Sequence, residues 1–302
     1  MTTVSVIGAG KWGQALALAL GEKNRVVLAS RTPRDLPGFV SFEEALASEW
    51  LVMTIPSQVI AAWLTENFTF QGQKILVAAK GIEASTGRFL NEIYEAHVPP
   101  EHLSFLSGPS FAAEVIQRLP TALVISSVDE TQSEAWGRLF PDFIKIYTSS
   151  DVIGAEVAGA YKNVLAIASG ISDGLGLGNN ARAALVTRGL AEMSRFGIHF
   201  GAKLQTFMGL SGVGDLFLTA TSTLSRNYRV GLQLALGKSI EEILAELGEV
   251  AEGVPTAHAI VALARKEGLY TPIADQVDKI LRGGDVKATI RELLARRALR
   301  EF

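Results

Sequence analysis

Lys162 stands in the middle of AGAYKNVLAIASG (158–170), whose alanines and glycines suit a helix packed closely against its neighbours. A buried ammonium is costly unless something pairs with it or uses it. A second lysine, Lys80, directly follows the apolar run ILVAA and should emerge at a strand end. Asp215 and Thr219 are four apart, hence on one face wherever a helix persists. Ser225-Arg226-Asn227 offers a fork of donors suited to a phosphate or carboxylate, although an exposed helix start would look the same. By type, these residues supply two amines, an acid to orient them and donors for an anionic group.

The N-terminal segment carries a different chemistry. Gly8-Ala9-Gly10-Lys11-Trp12-Gly13 follows the apolar run VSVI and opens WGQALALAL. In such a G-x-G-x-x-G the first glycine permits a tight turn and the second admits a pyrophosphate to the backbone. The third lets helix and strand pack closely, with the helix N-terminus facing the phosphates. The pattern predicts dinucleotide binding; a glycine-rich turn without ligand is the plainer alternative. The next apolar run, RVVLASRT, offers no acid for a ribose 2′-hydroxyl and ends in Ser30-Arg31-Thr32, with Arg34 just beyond. An arginine there stacks on adenine and pairs with a 2′-phosphate, so NADP(H) is favoured and NAD(H) is the second candidate. Arg31 as a solvated loop charge is the alternative, and it applies still more to Arg34.

These residues must be held by elements that the pattern also predicts. Candidate strands are VSVIG (4–8), RVVLAS (25–30), WLVMTIP (50–56), KILVAAK (74–80), LSFLSG (103–108), TALVISS (121–127) and FIKIYTS (143–149). Amphipathic stretches such as STGRFLNEIYEA lie between them. Continuous apolar strands alternating with helices indicate a mostly parallel sheet covered on both faces, an α/β doubly wound domain. Ligands of such sheets bind beyond the strands' carboxyl ends, which here carry Pro56-Ser57, Lys80-Gly81 and Gly108-Pro109-Ser110. The small residues of GPSFAAE let backbone amides face an anion, while Ser110 also suits the N-cap of FAAEVIQ. From about Asp151 the strand-like runs stop and Ala/Leu-rich helical segments take over, ending in ATIRELLARRALRE. The expected division is residues 1–150 for the dinucleotide and 151–302 as an all-helical substrate and catalytic domain.

Composition narrows the rest. A charge of −3 gives no reason to expect nucleic-acid binding or an electrostatic membrane anchor. The absence of cysteine excludes disulfides, thiolate nucleophiles and thiolate metal sites, and no metal site is expected. No apolar run approaches the roughly 20 residues of a membrane span, and MTTVSVIGAGKWG has no signal-peptide pattern. A cytoplasmic protein is expected.

Several blocks together resemble the bacterial NAD(P)-dependent sn-glycerol-3-phosphate dehydrogenase family: VIGAGKWGQALA, AAKGIEASTGRFL, SGPSFAAE, GAYKNVLAIASGISDGLGLGNNARAALVTRGLAEM, MGLSGVGDLFLTATSTLSRN and VAEG. They run in family order over nearly the whole chain. The resemblance implies a Rossmann-type domain followed by a helical domain like that of the 6-phosphogluconate dehydrogenase superfamily. It also implies reversible reduction of dihydroxyacetone phosphate to sn-glycerol 3-phosphate, the backbone precursor of phospholipids. It makes Lys162 the proton acceptor and puts Lys80 on both cofactor and substrate. Further substrate contacts are implied at Gly108, Ser110, Asp215, Ser225, Arg226 and Asn227. Implied cofactor contacts are Lys11, Trp12, Arg31, Ala112, Arg226, Val250 and Glu252, beside the glycines Gly8, Gly10 and Gly13. A homodimer is the family tendency.

None of the four histidines lies in a segment assigned to the site, which leaves lysine to carry the proton. A free lysine titrates at about 10.4 and is a poor base near neutrality; desolvation and a neighbouring cation lower that value. Lys80 is expected to supply the cation, and Asp215 to orient Lys162 and limit the effect. The Lys162 ammonium would polarise the ketone and deliver its proton, while Arg226, Asn227 and the Gly108-Pro109-Ser110 amides hold the phosphate. The rival enzymatic reading is a lysine-dependent reductase of a keto acid, of ketopantoate or 3-hydroxyacid type. A non-catalytic NADP(H) sensor would need neither lysine nor Asp215.

Overall fold

The computed structural model describes residues 1–248 and 250–295. The closing helical pattern ATIRELLARRALRE is therefore described only as far as Ala295, and the rest of it lies outside the described residues. Seven strands form one sheet: β1 (Thr3–Ile7), β2 (Arg25–Ala29), β3 (Trp50–Met53), β4 (Lys74–Val77), β5 (Leu103–Ser107), β6 (Thr121–Ser126) and β7 (Ile144–Ser149). Their order is β2-β1-β3-β4-β5-β6-β7, parallel throughout except where β6 runs antiparallel to β5. The strands from β1 to β6 are largely buried on both faces, which is why they read as continuous apolar runs, whereas the edge strand β7 is mostly exposed, with Tyr147 50% exposed. The chain leaves β1 for β2 on one side and returns to β3 on the other. That reversal opens a crevice at the strands' carboxyl ends.

Two expectations need correction. The run KILVAAK forms a strand only through Val77, so Lys80 stands on the loop beyond β4 rather than at its last position. The stretch STGRFLNEIYEA is helical only over Leu90–Glu95. Its first part is a loop closed by a bridge between Ile82 and Phe89, with Arg88 donating to Glu83 (Nη2–Oε2 3.0 Å). Gly87, at φ +76°, turns the chain inside it, a conformation no helix accommodates.

After β7 the described residues contain helices and loops but no strand. The first of these helices, Val152–Gly174, is buried along nearly its whole length. Its N-cap is Asp151, which accepts from the Gly154 amide at 2.9 Å. Glycine explains the close burial. A Cβ on Gly170 would strike the Tyr228 carbonyl, and one on Gly231 would strike the Ile167 carbonyl, so this helix and Arg226–Ala235 touch backbone to backbone. The core here is built around Tyr161, Phe196 and Phe207, and it takes in two residues from the loop after β4, Ile82 and Phe89. Phe89 meets Phe200 edge-on with ring centroids 5.2 Å apart, and Gly87 lies against Leu263.

Candidate active site

The long helix carries Lys162 inward, 7% exposed, where pairing is obligatory. It donates to Asp215 Oδ1 at 2.6 Å and to Thr219 Oγ1 at 2.9 Å. Lys80 reaches the other oxygen of the same carboxylate, Oδ2, at 2.7 Å, and also the Gly108 carbonyl at 3.3 Å. One carboxylate thus joins an amine from the sheet's edge to an amine from the helical half. Asp215 opens the helix Asp215–Ala220, and the Thr219 hydroxyl donates back to Oδ1 at 3.2 Å, one turn along the same face. The Lys80 stem lies across Gly159, three residues before Lys162 on the long helix.

Burial sets the electrostatics. Desolvation draws the Lys162 ammonium down to about 8; Asp215 opposes this, and the positive charge of Lys80 reinforces it. Burial alone would raise the Asp215 carboxyl, but the two ammonium groups overcome it and hold the acid below its ordinary range. The group therefore carries two cations on one anion with Lys162 close to its titration point, where a side chain both gives and takes a proton.

The glycine turn fits a dinucleotide. Gly8 has φ +113° and donates its amide to the Ala29 carbonyl at 2.8 Å. A Cβ on Gly13 would collide with the Gly8 carbonyl, and one on Gly8 with the Thr54 hydroxyl. A Cβ on Gly10 would meet no protein atom within 4 Å, so that position faces open space at the N-terminus of the helix Lys11–Leu20. The Trp12 indole donates to the Ala78 carbonyl at 3.1 Å, tying the turn to the chain two residues before Lys80. Lys11 is exposed. Exposed Arg31 lies beyond β2, three strands across the sheet from β4. At about 4.8 Å per strand this is about 14 Å, a span suited to an extended dinucleotide.

The remaining sequence-predicted residues separate into two groups. Glu252 accepts from the Ser57 hydroxyl at 2.9 Å, beside Gly81. Burial pushes its carboxyl up from the ordinary range, moderated by Ser57 and by the nearby charge of Arg226. Asn227, buried, donates to Asn163 Oδ1 at 2.9 Å and accepts from the Gly253 amide at 3.0 Å. Its neighbour Arg226 is exposed, and Ser225 is the N-cap, accepting from the Tyr228 amide at 3.2 Å. Val250 is 51% exposed. Ser110 does not cap the following helix, as its N-cap is Phe111, and Ala112 is that helix's first residue. The Ser110 hydroxyl instead donates to the Gly108 carbonyl at 3.4 Å. Three elements of the arrangement escape sequence reasoning: the Gly108 carbonyl under Lys80, the Thr54 hydroxyl behind the glycine turn, and Gln58, which donates to Ile82 O and accepts from the Ala84 amide. Each depends on a partner distant in sequence. Among the described residues no cluster of His, Cys, Asp and Glu is arranged to hold a metal ion, and no helix is long and apolar enough to cross a membrane.

Residues 30–133 match the model for the N-terminus of NAD-dependent glycerol-3-phosphate dehydrogenase, and residues 151–291 match the model for its C-terminus. A protein of Sulfurimonas denitrificans named glycerol-3-phosphate dehydrogenase (NAD(P)+) is 60% identical over 98% of this chain and 100% of its own. The chain belongs to the NAD-dependent glycerol-3-phosphate dehydrogenase family. A Campylobacter jejuni member with the same name is also 60% identical, over 96% of this chain and 98% of its own. The crystal structure of a Coxiella burnetii glycerol-3-phosphate dehydrogenase superposes with a TM-score of 0.90 at 34% identity, covering 98% of this chain and 99% of that one. These identities favour the family's reaction over the keto-acid alternative.

Proposed function

We infer that this family member is an NAD(P)-dependent oxidoreductase that interconverts dihydroxyacetone phosphate and sn-glycerol 3-phosphate. The observation that carries the reading is the single buried carboxylate, Asp215, holding Lys80 and Lys162 at the carboxyl edge of the sheet. A nicotinamide dinucleotide, when bound, supplies or accepts the hydride at the substrate's C2. In reduction, the Lys162 ammonium donates its proton to the ketone oxygen, which becomes the alcohol, and the amine recovers a proton from solvent. In oxidation the neutral Lys162 amine takes the hydroxyl proton. Lys80 keeps positive charge beside the reacting oxygen, and Asp215 holds both amines in place.

Gly8, Gly10 and Gly13, with Lys11, Trp12, Ala112, Val250 and Glu252, are assigned to the dinucleotide. Arg31 is assigned to a 2′-phosphate, making NADP(H) the preferred form. Arg226, Asn227, Ser225, Ser110 and Gly108 are assigned to the substrate, with the phosphate on Arg226 and the Gly108-Pro109-Ser110 turn. Residues 1–150 form the dinucleotide unit and residues 151–302 the substrate unit. The protein works in the cytoplasm as a homodimer, supplying the glycerol backbone of phospholipids. The test follows absorbance at 340 nm with dihydroxyacetone phosphate and each reduced nucleotide in turn, with ketopantoate alongside. Oxidation driven by ketopantoate alone, or by neither ketone, would overturn the reading. Light scattering of the purified chain tests the dimer, and a mass of one chain would reject it.

A further inference from the structure

Lys80 is suspended between two acceptors that belong to different segments: the Gly108 carbonyl, one residue past β5, and Asp215 Oδ2. The segment before Asp215 is a π-turn, Leu210–Gly214, in which the Gly214 amide reaches back to the Gly209 carbonyl at 3.1 Å. It has no slack. A Cβ on Gly212 would fall onto the Phe207 backbone, and one on Gly214 would only touch the Pro109 ring at 3.8 Å. A side-chain hydrogen bond crosses between the two segments: the Ser107 and Ser211 hydroxyls meet at 2.7 Å, with Ser107 2% and Ser211 3% exposed. Ser107 is the last residue of β5 and immediately precedes Gly108, while Ser211 lies four residues before Asp215.

We propose that the Ser107–Ser211 hydroxyl pair is a positioning device for the reaction, locking the turn after β5 to the π-turn so that the two acceptors of Lys80 keep a fixed separation. Neither hydroxyl is a catalytic residue, since each acts through Lys80 and Asp215. The proposal rests on the reading of Lys162 as the proton carrier. Without the lock the π-turn carries Asp215 away from Gly108, and Lys80, whose backbone stays beyond β4 beside Gly108, is left farther from the carboxylate and from Lys162. The charged groups that face Lys162 are Asp215 and Lys80, and its other partner, Thr219, is uncharged. Withdrawing Lys80 removes a repelling cation while Asp215 stays, so Lys162 holds its proton more tightly.

The experiment compares wild type, Ser107→Ala, Ser211→Ala and the double variant. The readouts are thermal stability, steady-state kinetics of dihydroxyacetone phosphate reduction against pH, and the Lys162 titration by NMR of ε-13C-labelled lysine in the ligand-free protein. Each single variant strands one buried hydroxyl and melts lower; the double variant strands none and recovers most of its stability. The expected result is that kcat falls about tenfold in all three variants with KM little changed. The Lys162 titration should rise by about one pH unit in all three, and neither change should recover in the double variant. A double variant that regains wild-type kcat and the wild-type titration would overturn the proposal and leave the pair as packing. Should wild type fail to reduce dihydroxyacetone phosphate, the functional reading falls by itself. The ligand-free titration still decides the lock: a rise in the double variant upholds it, and an unmoved titration rejects it.

Discussion

Asp215→Asn preserves shape, removes one charge and leaves two ammonium groups facing an amide. Asp215 accepts from Lys162 at 2.6 Å and from Lys80 at 2.7 Å, so its charge acts on both amines at short range. A unit charge about 4 Å from an ammonium, at an effective dielectric of about 20, is worth about 4 kcal/mol. At about 1.4 kcal/mol per pH unit that is about three pH units. Lys162 starts from about 8, and so falls to about 5. At pH 7 about one molecule in a hundred then carries the ammonium that reduction needs. Reduction of dihydroxyacetone phosphate at pH 7 should fall at least about 100-fold and recover part of the loss as pH is lowered towards 5. Oxidation of glycerol 3-phosphate needs the neutral amine and should lose less at the same pH. The assay is initial rate in both directions from pH 5 to 9, with circular dichroism confirming the fold. An inflection still near pH 8 in the variant, or an equal loss in the two directions at every pH, would refute the electrostatic reasoning.

Gly13→Ala places a methyl group onto the Gly8 carbonyl and should lower stability by about 1–3 kcal/mol in a denaturant melt. Gly10→Ala meets no protein atom, so it should melt like wild type and yet bind NADPH at least about tenfold more weakly by fluorescence titration; unchanged binding would show that the turn does not cradle the dinucleotide. Arg31→Asp should weaken NADPH at least about tenfold more than NADH, and equal effects would remove Arg31 from the 2′-phosphate. Burial pushes Glu156, which accepts from the Asn91 amide at 3.0 Å, up to about 8 from 4.5. A raised carboxyl contributes stability that is whole below pH 4.5 and is lost as pH climbs through 8. Relative to wild type, Glu156→Gln should therefore gain up to about 5 kcal/mol between those pH values, and a flat difference in unfolding free energy would reject the assignment.

The opening strand, the glycine turn and the change to helices near Asp151 were legible because each rests on local pattern. Lys162 was legible for another reason: its neighbours announced a buried helix, and burial demanded a partner. The bond from Lys162 to Asp215, and the Asp215–Thr219 face, follow that expectation. Ser110 misled because a serine before FAAEVIQ has the composition of a cap, while the turn at Gly108, with φ +107°, moves the helix start one residue on. Arg226 and Asn227 read as one fork along the chain, yet helical geometry turns one outward and the other into the core. The bridge from Lys80 to Asp215 and the Ser107–Ser211 bond span more than 100 residues, and no spacing rule reaches so far.

Ile82 and Phe89 leave the sheet's side of the molecule to sit among the aromatic rings of the helical half, with Leu263 pressed on the turn between them. The loop works as a plug in a socket whose wall includes Phe200 and Leu263, more than 100 positions later. A hybrid enzyme joined at residue 150 would carry one parent's plug into the other's socket, however clean that junction looks along the chain. A junction that keeps residues 82–89 with the helices they fill leaves plug and socket from one parent.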